Sequence, residues 1–100
     1  MKTIISGLNK IFDSRIRLGI MAALLVNDFL DFNALKELLD ITDGNLASHL
    51  KTLEKNELIE MKKQFIGRKP NTVYSISSLG KNMFQLHLNA LEKFINPMQT

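Results

Sequence analysis

Asp31-Phe32-Asn33-Ala34-Leu35-Lys36-Glu37-Leu38-Leu39, continued by Asp40-Ile41-Thr42-Asp43-Gly44-Asn45-Leu46-Ala47-Ser48-His49-Leu50-Lys51-Thr52-Leu53-Glu54, reads as a short helix, a tight connection and a longer helix. Asp31 is placed to accept hydrogen bonds from the free amides of a helix over about 32–39, and Leu35, Leu38 and Leu39 form its expected buried side. Thr42 is the expected cap of the next helix, roughly 43–56. There Leu46, Leu50 and Leu53 stand at i, i+4 and i+7 and so share one stripe toward a core. The opposite face centres on Gly44, Ser48, Lys51 and Lys55, flanked by Asn45 and Thr52, because each residue turns the helix by about 100°. That face is small, polar and basic. Glu54 and Glu57 lie nearer the leucine side.

Working outward, Asp13 or Ser14 caps an upstream helix that carries Ile16, Ile20, Ala23 and Leu24 on one face. Ile4, Ile5, Leu8, Ile11 and Phe12 suggest a short additional helix before it. Downstream, Leu58 to Phe65 alternates Ile59, Met61 and Phe65 against Glu60, Lys62 and Gln64, the pattern of a strand, with Lys63 breaking the period. A second strand spans 72–76, with Tyr74 and Ile76 on one face. Between the strands Ile66-Gly67-Arg68-Lys69-Pro70-Asn71 is a turn-forming loop with a doubly cationic tip. Ser77 or Ser78 caps a last helix to about Ile95, and Pro97 lies just beyond it. Its Leu79, Met83, Phe84, Leu86, Leu88, Leu91, Phe94 and Ile95 spread around the cylinder, more apolar surface than a small domain buries alone, and partner helices in a dimer account for it. Met21, Met61 and Met83 are expected as core filler. The fold class is mainly α with a small β-hairpin.

Composition narrows the function. The chain has 100 residues, 45% hydrophobic and 23% charged, with a formal net charge of +3. That is one globular domain, 1–100, and it excludes disordered and collagen-like chains. Ile16 to Val26, the longest nearly apolar run, contains Arg17 and is far shorter than the ~20 residues of a membrane span. Met1 to Ser6 shows no secretory leader, so a cytoplasmic location without membrane association is expected. Cysteine is absent, which removes thiolate metal sites and cysteine nucleophiles. His49 and His87 are far apart, and neither metal nor cofactor is expected. Between Glu60 and Glu92 the charged residues are Lys62, Lys63, Arg68, Lys69 and Lys81, all positive. Such a run suits a polyanionic partner when the fold presents it on one surface.

The element order, together with Ser14-Arg15-Ile16-Arg17-Leu18 to Leu24, the Asp31 to Leu39 and Thr42 to Glu54 segments, Phe65-Ile66-Gly67-Arg68-Lys69-Pro70-Asn71-Thr72 and Tyr74-Ser75-Ile76-Ser77-Ser78-Leu79-Gly80, resembles small winged helix-turn-helix transcriptional regulators related to the MarR and ArsR groups. The match extends over nearly the whole chain. The resemblance implies a homodimeric protein on double-stranded DNA, with helix 43–56 in the major groove, the wing 65–72 on backbone or minor groove, and the N- and C-terminal helices making the dimer. Gly44, Asn45, Ser48, Lys51 and Thr52 then fall at or beside base edges, while Lys55, Lys62, Lys63, Arg68 and Lys69 fall near phosphates. His49, beside the leucine stripe, is read as a packed or backbone-bonded imidazole with a phosphate contact as the alternative. Arg15 and Arg17 either reach phosphate from an early helix or pair with Asp13 and a dimer mate, and the structural use is the favoured reading. The family usually has glycine where this chain has Glu57, which moves the expected left-handed residue to Asn56.

Repression by promoter occlusion is the expected mode of action, and the dimer helices leave room for a small apolar effector. A metal sensor of the ArsR kind is disfavoured without thiolates. A protein-docking winged helix is the rival reading. An enzyme ranks last, since no nucleophile with a base, no phosphate-binding glycine loop and no metal cluster is legible.

Overall fold

The computed structural model describes residues 7–96. Met1 to Ser6, which carry the leader expectation and the Ile4–Ile5 part of the extra helix, lie outside the described residues, as do Pro97 and Met98. A 3-10 helix, Lys10–Phe12, leads into α1 (Arg15–Val26), β1 (Leu30–Asp31), α2 (Phe32–Leu39), α3 (Asp43–Lys55), β2 (Ile59–Ile66), β3 (Lys69–Ile76) and α4 (Ser78–Ile95). Every α-helix starts on a side-chain oxygen that takes an orphan amide: Ser14 Oγ from Arg17 at 3.2 Å, Asp31 Oδ1 from Ala34 at 2.7 Å, Thr42 Oγ1 from Asn45 at 3.2 Å and Ser77 Oγ from Gly80 at 2.9 Å. Each such cap contributes about 1 kcal/mol. Cap chemistry is local, which is why the helix starts agree with the residues that sequence alone selects.

The core gathers where the helices cross. Leu46, Leu50 and Leu53 of α3 are fully covered, packed with Ile20, Met21 and Leu24 of α1, Leu35 of α2, Leu58, Ile59, Tyr74 and Phe84. Two apolar expectations fail. Leu38 is 61% exposed, because it lies one residue step, about 100°, around the helix from the half-buried Leu39 and points away from α1 and α3. Met61 is no core filler: it is 38% exposed, at the point where the hairpin leaves the core.

β1, which the sequence did not disclose, pairs Leu30 with Tyr74 and Asp31 with Val73, so the sheet order is β1-β3-β2, antiparallel throughout. Two residues carry no readable periodicity. β2 and β3 pair without interruption from Ile59↔Ile76 to Ile66↔Lys69, and the loop expected over 66–71 shrinks to Gly67 and Arg68. Gly67, at φ +63°, makes that reversal accessible. Pro70 sits within β3 because β1 reaches only Val73 and Tyr74, leaving no strand on that side to receive its missing N–H.

α3 ends in a Schellman motif, with Leu58 N–H donating to Leu53 O at 3.0 Å and Glu57 N–H to Glu54 O at 2.9 Å. The left-handed residue is Glu57 itself, at φ 62°, whereas Asn56 stays at φ −88°. The expectation for Asn56 is corrected by these bonds: burying Leu58 against Leu53 requires the reversal one residue later. α4 then docks on this corner. Ser77 Oγ donates to Glu57 O at 2.7 Å, and a Cβ on Gly80 would stand 1.9 Å from Leu58 O, so only glycine fits.

Candidate nucleic-acid interface

The leucine stripe fixes the roll of α3, and its opposite side faces solvent. Gly44, Asn45, Ser48, Lys51 and Lys55 are exposed; Thr52 is half-buried, its Oγ1 donating to Ser48 O at 3.2 Å. A Cβ added to Gly44 would meet nothing within 4 Å, so the fold does not require glycine there, and bare backbone is presented to whatever approaches α3. The hairpin carries the remaining cations. Lys62, Lys63, Arg68 and Lys69 are all exposed, with Arg68 in the turn. Lys62 also borders a cleft of about 310 Å³ on the outer side of the sheet with Asp28, Phe29 and Glu60, where acids stand near it.

His49 lies on the α1 side of α3. Its Nδ1 is 3.1 Å from Arg17 Nη1, and Arg17 Nε donates to Ile11 O at 2.6 Å. An arginine donates only, so Nδ1 is the acceptor and the ring hydrogen sits on Nε2. Burial, and then the Arg17 charge, hold the His49 imidazole below its ordinary pKa of 6.5. The ring is therefore neutral, accepting from a side chain through Nδ1 and keeping Nε2–H free to donate; it is half-buried, and the bond runs to a side chain where a packed or backbone-bonded imidazole was expected. Arg17 has the structural use foreseen for it, linking the 3-10 segment, α1 and α3.

Several residues of consequence were illegible. Lys36 Nζ and Asp43 Oδ1 meet at 2.8 Å across the α2–α3 turn, the ion pair found among the described residues. Both ends are solvated, so it stabilises the fold by at most about 1 kcal/mol, yet it neutralises an acid at the start of an otherwise basic face. With Arg15 they border a shallow depression at the α3 N-terminus. His87 of α4 is 4% exposed; its Nδ1 accepts the Asn9 amide at 3.1 Å, and its ring lies 5.0 Å from that of Phe12. No sequence signal separates such a histidine from a surface one. No group of three or more His, Cys, Asp or Glu among the described residues is arranged to hold a metal ion. No described helix is long and apolar enough to cross a membrane.

The model of the winged helix DNA-binding domain matches residues 16–95, from α1 to the end of α4. The chain belongs to the winged helix DNA-binding domain family. A structure described as a transcriptional regulator homologue from Pyrococcus horikoshii OT3 is 34% identical, with a TM-score of 0.82 over 92% of this chain and 91% of that one. An uncharacterised Methanocaldococcus jannaschii protein, MJ0432, is 40% identical over 79 residues, 79% of this chain and 86% of its own. The S. aureus MepR–DNA complex shares the fold at 14% identity, with a TM-score of 0.73 over 90% of this chain and 64% of that one. As a member of a DNA-binding domain family, matched over nearly its whole length by a 34% identical structure described as a transcriptional regulator homologue, the protein is a DNA-binding transcriptional regulator.

Proposed function

We propose that this winged helix protein is a cytoplasmic homodimer that reads a roughly palindromic duplex and represses by occluding a promoter. The observation that carries the reading is the exposed face of α3, from Gly44 to Lys55, whose exposed charges are the cations Lys51 and Lys55, standing beside a hairpin with four exposed cations. In the proposed complex α3 enters the major groove. Asn45, Ser48, Lys51 and Thr52 meet base edges, Gly44 permits close approach, and Lys55, Lys62, Lys63, Arg68 and Lys69 neutralise phosphates. His49 presents Nε2–H to a phosphate oxygen. Two α3 helices about 34 Å apart would read two half-sites. The fold shared with MepR, whose structure holds DNA, supports this reading.

α4 is the proposed dimer element. Leu79, Leu86, Leu91, Phe94 and Ile95 are exposed along it, more apolar surface than scattered exposed residues account for.

The test is binding to a duplex selected from a randomised pool, across a salt series, for the wild type and Arg68→Glu/Lys69→Glu. Wild-type affinity should fall steeply with salt, and in the variant the log–log slope should shrink by about 0.9 for each phosphate that is no longer neutralised. Equal slopes for the two proteins would overturn the wing assignment.

A further inference from the structure

The wing tip carries two side chains that cation–phosphate contact does not explain. Phe65 is 72% exposed and Ile66 is 62% exposed, at the far end of the hairpin, among Lys62, Lys63, Arg68 and Lys69. Successive strand residues point to opposite faces, so Phe65 projects from one face, opposite Pro70, and Ile66 from the other, opposite Lys69. The pairing is unbroken up to the two-residue turn, which makes the tip a narrow, defined ribbon rather than a loose loop. Turn-forming tips are ordinarily polar; this one is apolar on both faces and cationic at its apex.

We propose that Phe65 and Ile66 make the wing an apolar probe of the DNA minor groove that favours A·T over G·C pairs beside the segment read by α3. The proposal rests on the duplex-binding function above. Charge complementarity selects the occupant: the flanking cations draw the tip to phosphate walls, and although a two-stranded ribbon is itself too broad for a B-form minor groove roughly 6 Å wide, the side chains at its tip are narrow enough to enter. Inside that groove the apolar side chains meet deoxyribose and base edges. The 2-amino group of guanine projects there as a hydrogen-bond donor, and Phe65 and Ile66 offer it no acceptor while excluding its water. An A·T pair carries no such donor. Discrimination therefore arises from the guanine that is penalised, without a hydrogen bond to any preferred base.

The experiment uses the full chain and a duplex selected by it from a randomised pool, rebuilt with A·T, G·C or inosine·C pairs in the segments flanking the α3 half-sites. Inosine keeps guanine's major-groove edge and lacks its 2-amino group. Wild-type protein should bind the A·T and inosine·C flanks alike and the G·C flank roughly tenfold more weakly. Phe65→Ser/Ile66→Ser, whose sites lie outside the core, should lose roughly tenfold on the A·T flank and no longer distinguish the three. Circular dichroism and sedimentation of the variant verify that fold and dimer are retained. Wild-type indifference to inosine, an unchanged preference in the variant, or a variant that becomes monomeric would each overturn the proposal, the last by assigning the tip to a contact between copies. A wild type that binds no duplex would instead overturn the DNA-binding reading itself.

Discussion

Glu57 holds a backbone conformation that costs a residue with a Cβ roughly 1 kcal/mol, in order that Leu58 can fold back on Leu53. Glu57→Gly should therefore raise stability by about 0.5–1 kcal/mol in urea denaturation, since relief of strain outweighs the added freedom of the unfolded chain. Gly44 poses the opposite case. It is helical, surrounded by open space, and less favourable than alanine there by up to about 1 kcal/mol. Gly44→Ala should stabilise the free protein by up to that amount and weaken DNA binding; unchanged affinity would show that nothing approaches the α3 backbone. His49 makes a third case, in pH. Its folded pKa lies below the ordinary 6.5, so above 6.5 the ring is neutral in both states and its full contribution is present. As pH falls below 6.5 the unfolded chain takes up a proton that the folded chain resists, and stability declines toward the folded pKa. Urea midpoints between pH 7.5 and 5.5 should fall more steeply for the wild type than for His49→Gln.

At the level of elements, the corner joining α3, β2 and α4 depends on a single close approach. Gly80→Ala places a methyl into the Leu58 carbonyl, where backbone rather than a flexible side chain must yield, and should destabilise by about 2 kcal/mol or more in the same denaturation assay. This corner also shows what sequence can disclose. The four helix starts and the roll of α3 were legible because caps act over three residues and leucine spacing acts within one helix. The same local logic placed Lys51 and Lys55 on the exposed side of α3, and Lys62, Lys63, Arg68 and Lys69 on the hairpin. β1, the true length of the hairpin, the left-handed Glu57, the Lys36–Asp43 pair and the Arg17–His49 bond were not legible. Each is decided by a contact that spacing does not show: β3 for β1 and for the length of β2, the burial of Leu58 against Leu53 for Glu57, α2 for Asp43 and α1 for His49. Exposure of Phe65 and Ile66 belongs with these, since an alternating apolar pattern does not say where the strand leaves the core.

Across the whole molecule the described chain extends 56 Å along its longest axis. The proposed assembly joins two copies through the apolar surface of α4, so that two α3 helices meet one duplex together. Leu86→Glu/Ile95→Glu alters residues exposed in the single chain and should leave its fold intact while shifting sedimentation to the monomer. DNA affinity should then drop by about a hundredfold or more, because the second half-site is no longer held at high effective concentration. The central claim, that paired α3 helices read the major groove, is tested most directly by methylation protection of guanine N7 on a duplex selected by the protein. Two protected major-groove segments one helical turn apart are expected, both disappearing together in Ser48→Ala/Lys51→Ala. Protection confined to one segment, or unchanged by that substitution, would contradict it.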